Sequence, residues 1–363
     1  MAAAMGKTAN SDRQADWIII GGGIPALVAA FYLQQRGLRV IVIDNNMPSA
    51  SRAGAGILSP LPPWHYPPEI LALTTAGAAA YPQLLAALGD DCGLQQSGMF
   101  VLPPFDDSAL RAWQAQGGSA QEKLISAVHP HLAAQKATQA SGLWLPEVQV
   151  LQPRRLLQVL RRHITRQAQY ARRYVASVSS LTVVDNKVQR VELSDGRHLS
   201  AAKVLLAAGA WSGGLCPPPA PAITPIRGQL LLYRNVGIRL PTVVLQEEQM
   251  FYLLQRQDGN LLVGSTSESC GFDDRPSAEA TAVLHQRAQQ LLPLLQGQTP
   301  RRAWTGLRPA AKKPIIAQHA TVDNLYINSG HFRYGVTMAP AAAQHLLRLL
   351  DGEINNSNND YAA

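Results

Sequence analysis

The sequence predicts an α/β protein, α+β overall, that begins with a dinucleotide-binding β-α-β unit. Three observations predict it. A short apolar run, Trp17-Ile18-Ile19-Ile20, passes directly into Gly21-Gly22-Gly23. Leu27, Ala30, Phe31 and Gln34 then recur at helical spacing as far as Gly37. Val40 to Ile43 form a second apolar strand, closed by Asp44.

Each element has a physical reason. Gly21 permits the tight turn out of the first strand, and Gly23 lets backbone amides at the helix N-terminus reach a pyrophosphate. Ile24 and Pro25 open that helix, and Ala26 at the third fingerprint position still allows close helix-strand packing. Asp44, 23 residues after Gly21, is placed to accept hydrogen bonds from a ribose diol and disfavours a 2′-phosphate. A glycine-rich turn of an unrelated α/β protein is the alternative, and the unit by itself does not separate FAD from NAD.

Three later blocks return small residues to the same place. Ser49 to Leu58 contains Ala53, Gly54, Gly56 and Ile57, with Arg52 as a candidate phosphate contact. Val204 to Ser212 reads as a buried strand ending in small residues, with Ala208, Gly209 and Trp211 at its exit. The run Gly330-His331-Phe332-Arg333-Tyr334-Gly335 precedes an apolar helix starting at Val336 and Thr337, whose N-terminus favours negative charge on a ligand.

Composition bounds the rest. With 363 residues and 47% apolar content the chain has enough material for two cooperating domains. Cys92, Cys216 and Cys270 are too scattered for a disulfide framework or a metal cluster, which suits a reducing cytoplasm. His129 and His131 lack companions at metal-ligand spacing, and no G-x-S-x-G elbow supports hydrolase chemistry. Residues 1–16 are set aside as a cloning scar or a loose arm, and the polar tail 353–363 is expected to fray. The apolar run Trp17 to Leu33 is broken by glycines and a proline, so no membrane span is expected there or elsewhere.

The net charge of +8 is concentrated in Arg154, Arg155, Arg161, Arg162, Arg166, Arg172 and Arg173. Leu157, Leu160 and Ile164 give this stretch one apolar face, which predicts an amphipathic helix with a solvated basic side. A surface for a polyanion such as nucleic acid is the alternative, and the less favoured one.

Taken in order, IIIGGGIPALVAA, ASRAGAGIL, SGMFVLP, LLAAGAWSG, TPIRGQ, WTGLRP and SGHFRYGVTMAPA resemble the D-amino acid oxidase superfamily, and within it the glycine oxidases of the thiamine pathway. The resemblance spans nearly the whole chain. It implies a Rossmann-like FAD-binding domain (17–75, 150–216, 310–352) interleaved with a mixed-sheet substrate domain (76–149, 217–309), with FAD held noncovalently. Motif by motif, it makes Arg308 of GLRP the clamp for a substrate carboxylate, Tyr252 its helper, and Arg333 a neighbour of flavin and substrate. Ile57 and Met250 would border the substrate pocket.

The residue types suit that chemistry. A planar guanidinium grips a carboxylate bidentately and leaves the amine-bearing carbon free to face a flavin. Hydride would pass from Cα to flavin N5, giving an imine, then a 2-oxo acid and ammonia, with molecular oxygen as acceptor and hydrogen peroxide as product. Alternatives are a dehydrogenase of a secondary amino acid using another acceptor, and a flavin domain acting on a glycine-like group of modified tRNA. A homo-oligomer is left open. A solvated or structural arginine is the plain alternative for Arg308 and Arg333, and a core aromatic is that for Tyr252. The chain departs from the family pattern after GLRP, where Pro309 to Pro314 reads as a short basic loop.

Overall fold

The computed structural model describes residues 15–47, 49–132, 140–166 and 171–363. Strand Ala15–Ile20 lies within a parallel group ordered Leu325–His331, Ala201–Leu206, Ala15–Ile20, Val40–Ile43 and Ala171–Tyr174. Ile18 and Ile19 point to opposite faces and both are fully buried, as expected of a parallel strand covered on two sides. The strand begins two residues earlier than the sequence suggests. Asp16, expected in a loose arm, accepts from the Arg39 backbone amide at 2.7 Å.

The sheet continues without interruption into a second, mostly antiparallel half. Strand Arg302–Gln318 pairs antiparallel with Leu325–His331 on one side and Thr224–Tyr233 on the other, joining the halves. Beyond it follow Leu261–Gly264, Phe251–Gln255, Val243–Gln246, Met99–Leu102, Ser141–Leu145 and Gln121–Leu124, thirteen strands in all. The segment Pro309 to Pro314 is therefore not a loop. It lies inside the long strand, whose register shifts between Ala310 and Ile315 so that the extra residues bulge while both ends stay paired.

Helices Ile24–Gln35, Pro68–Leu88, Pro153–Arg166 and Gly335–Leu350 share one hydrophobic core with a face of the parallel strands. Pro68–Leu88, with mean hydropathy 1.3, is long and apolar enough to cross a membrane, which sequence reading overlooked. Here it packs on Gly335–Leu350 so closely that a Cβ on Gly77 would lie 2.1 Å from the Thr337 carbonyl oxygen, and Tyr81 is fully buried.

The C-terminal residues are held and not frayed. Tyr361 is 7% exposed, its Oη donates to the Glu69 carbonyl at 2.9 Å, and its own carbonyl accepts from the Ile316 amide at 2.9 Å. Composition hid this, because one tyrosine anchors an otherwise polar stretch. His129 is a core residue, bonded through Nε2 to Thr242 Oγ1 at 2.8 Å and edge-on to Phe100. No group of three or more metal-ligating side chains occurs among the described residues.

Candidate active site and cofactor cavity

The carboxyl ends of the parallel strands open into a cavity of about 690 Å³, the usual ligand position in such sheets. Its wall begins at the glycine turn. Gly21 has φ +131°, and a Cβ there would lie 2.2 Å from the Ala207 carbonyl oxygen, so only glycine lets the two strand ends meet. The first helical amide is already satisfied, since Ile24 N donates to Ser51 Oγ at 3.0 Å. Short helix Ala50–Ala53, capped by Ser49, thereby locks the second small-residue block against the first.

Asp44 is 8% exposed and closes the far end of the cavity. Its Oδ2 accepts from Arg161 Nη2 at 3.0 Å and Arg173 Nη2 at 2.9 Å, and its Oδ1 accepts from Asn46 N at 3.1 Å. The basic stretch is thus only partly a solvated face. Arg155 pairs with Asp90, while Arg161 and Arg173 turn inward because a buried carboxylate needs compensating charge.

Two further groups suit a polar ligand. Both amide atoms of Asn328 and Nε2 of His331 are buried without a protein partner, and both residues line the cavity. Burial lowers the His331 pKa to about 4, so its ring is neutral near neutral pH. A cavity of this size, with a glycine turn at one wall and unpartnered buried polar groups at another, fits a flavin dinucleotide.

A second cavity of about 80 Å³ adjoins the first, and Arg308 and Arg333 line both. Its floor is the antiparallel half of the sheet, with Tyr252 on strand Phe251–Gln255, Leu230 and Gly228 on Thr224–Tyr233, and Arg308 on Arg302–Gln318; Ile57, Ser265 and Tyr334 complete the walls. Arg308 Nη1 donates to the Thr266 carbonyl at 2.9 Å and Nη2 to Ser265 Oγ at 2.9 Å. Burial, then repulsion from Arg333, lowers the Arg308 pKa to about 10, which leaves it charged. Burial raises the Tyr252 phenol, so it stays a hydrogen-bond donor. Arg308 and Arg333 are both half-buried, and no acid lines this cavity, an arrangement that can receive one anion.

Of the sequence candidates, Gly21, Gly23, Pro25, Asp44, Gly54, Ala208, Gly209, Trp211, His331, Phe332, Gly335 and Val336 border the larger cavity. Ala53, Gly56, Ile57, Tyr252 and Tyr334 border the smaller one. Five candidates border neither. Ile24 is buried in the helix core, Arg52 is exposed, Met250 packs on an apolar cluster, Gly330 faces Lys313, and Thr337 donates to the Ile57 carbonyl at 3.2 Å. Ser51, Asn328 and Ser265 escaped sequence reading, and Arg161 and Arg173 read there as a solvated basic face and not as partners of Asp44. Only Ser51, inside an already noted block, carried a local signal.

A large cavity walled by a glycine turn that adjoins a small cationic pocket is the arrangement of a dinucleotide-dependent redox enzyme. The sequence model of the FAD dependent oxidoreductase family (DAO) matches residues 16–349, and the chain belongs to that family, with FAD as its cofactor. It is 33% identical to glycine oxidase of Pseudomonas putida strain KT2440, over 92% of this chain and 94% of that protein. It is 34% identical to glycine oxidase of Pseudomonas aeruginosa strain PAO1, with the same coverage. The crystal structure of glycine oxidase from Bacillus cereus ATCC 14579 shares the fold, with TM-score 0.84 at 24% identity over 96% of this chain and 98% of that one.

Proposed function

We propose that this chain oxidises the amine-bearing carbon of a small amino acid, glycine foremost. The observation that carries the reading is the position of Arg308 and Arg333 at the junction of the two cavities, with Tyr252 on the same floor. Bound FAD supplies the two-electron acceptor for the hydride leaving Cα. The cofactor domain is read as the parallel half-sheet and the substrate domain as the antiparallel half; helix Pro68–Leu88 goes whole to the cofactor side, because Tyr81, Leu84 and Leu85 pack in its core, so the expected boundary at 75/76 moves past it. FAD is held noncovalently, in keeping with the absence of Cys92, Cys216 and Cys270 from the lining of either cavity.

The protein's own part is orientation. Arg308, fixed by Ser265 and Thr266, takes the substrate carboxylate, and Tyr252 Oη donates a second hydrogen bond to it. Arg333 neutralises remaining charge from the cofactor side. With the carboxylate held, Cα has few orientations open to it, and this lowers the entropic part of the barrier. No carboxylate shares the small cavity's lining, so the amine leaves its proton to solvent before the hydride departs. The product imine hydrolyses to a 2-oxo acid and ammonia, and electrons pass to oxygen as hydrogen peroxide. The resemblance to thiamine-pathway glycine oxidases supports a role in supplying an imine for thiazole synthesis in the cytoplasm.

The tRNA-directed alternative draws less support, since Arg155, Arg161 and Arg173 are engaged by acids within the chain. The deciding experiment is anaerobic mixing of the holoenzyme with glycine, sarcosine, proline, D-alanine and a glycine-modified tRNA while flavin bleaching is followed. Reduction by the small amino acids is expected. Reduction by the tRNA alone would overturn the reading, and reduction by glycine without peroxide release in air would replace oxidase by dehydrogenase.

A further inference from the structure

The distance between Tyr252 and Arg308 poses a packing problem. They stand on strands Phe251–Gln255 and Arg302–Gln318, with Leu261–Gly264 and Thr224–Tyr233 between them. Three strand spacings amount to roughly 14 Å, too far for side chains standing upright from a sheet to share one small anion.

The register places one glycine under each side chain. Gly264 is the partner of Tyr252, and Gly228 is the partner of Gly306, two residues along the strand from Arg308 and therefore on the same face. A Cβ on Gly228 would lie 2.0 Å from Arg308 Nη2 and 2.1 Å from its Cζ, and a Cβ on Gly264 would lie 2.7 Å from Tyr252 Cζ and Oη. The guanidinium and the phenol lie flat over these two positions, pointing toward one another.

Resting on the carboxylate-clamp reading above, we infer that Gly228 and Gly264 are positioning residues for substrate recognition. Together they leave two open places on the sheet beside Leu230, which let Arg308 and Tyr252 converge from separate strands. Neither glycine has a positive φ, so it is the close approach of a side chain, and not the left-handed region, that asks for glycine here. The obstructed atoms are the ends of side chains. An added methyl at Gly228 therefore displaces Arg308 into the 80 Å³ cavity, away from Ser265 and Thr266, without disturbing the strand.

The test is a double-mutant cycle on the holoenzyme, with acetate as the carboxylate probe followed by flavin absorbance, and glycine turnover measured in parallel. Gly228→Ala should keep a full complement of FAD, weaken acetate at least about 10-fold, and raise the KM for glycine more than it lowers kcat. In an Arg308→Ala background the same substitution should change acetate binding less than about 2-fold, because the group it displaces is gone. Gly264→Ala should behave likewise against Tyr252→Ala. If Arg308→Ala weakens acetate while Gly228→Ala binds it like the parent, the positioning role is wrong and the clamp stands. If Arg308→Ala itself binds acetate normally, the clamp reading falls and the inference with it. Equal losses in both backgrounds, or FAD lost from both alanine variants, would mark a general framework role and overturn the inference.

Discussion

Arg173 Nη2 lies 2.9 Å from Oδ2 of Asp44, which ties the last strand of the parallel group to the acid at the rim of the cofactor cavity. Arg161 meets the same oxygen from the neighbouring helix at 3.0 Å. Asp44→Ala removes the carboxylate that these two arginines share and leaves like charges facing each other. We expect a loss of about 1–3 kcal/mol in urea unfolding together with weaker FAD retention. Arg161→Ala, which leaves Arg173 in place, should cost under about 1 kcal/mol. Equal effects of the two substitutions would contradict this ordering.

Arg308→Ala should retain FAD and lose about 30- to 1000-fold in kcat/KM for glycine, equivalent to about 2–4 kcal/mol for a charged hydrogen-bonded contact. Arg308→Lys should recover only part of this. An ammonium cannot keep both the Ser265 and Thr266 bonds and still present two parallel donors to a carboxylate. Steady-state kinetics on flavin-loaded variants decides it, and near-normal turnover by Arg308→Ala would remove the assignment.

Acid should unfold the protein partly through two histidines. Burial lowers the pKa of His129 and of His331 from 6.5 to about 4. Between those values the unfolded chain binds protons that the folded chain refuses, so stability falls as pH drops through that window and does not depend on these groups above it. Each contributes up to roughly 3 kcal/mol across the window. Urea midpoints of the parent and His129→Gln, measured from pH about 7 to about 4, should show a shallower acid limb in the variant. Parallel curves would exclude His129 as a contributor.

Tyr361→Ala should destabilise by about 3–4 kcal/mol, because a buried aromatic is replaced by a cavity between the C-terminal segment and helix Pro68–Leu88. Tyr361→Phe should cost only about 1 kcal/mol, the loss of one hydrogen bond to the Glu69 carbonyl. Thermal unfolding compares them directly. A Tyr361→Ala variant as stable as the parent would return the tail to the frayed state that composition suggests.

The amino-acid sequence by itself determined the elements whose signal is local. The glycine turn after Trp17 to Ile20, the acid at Asp44, the apolar face of Pro153–Arg166 and the order of motifs fixed the cofactor unit and the family resemblance, since each depends on neighbours within one turn or one strand. Tertiary structure decided what depends on groups far apart in the chain. Arg161 and Arg173 look like ordinary surface charge until Asp44, more than 100 residues earlier, is folded beside them. Pro309 to Pro314 reads as a loop until two flanking strands hold its ends and force the bulge. Gly228 has no special meaning within TPIRGQ, and acquires one only when strand register sets the Arg308 guanidinium above it. Periodicity reports which face a residue occupies, but only the packed sheet determines what lies across that face.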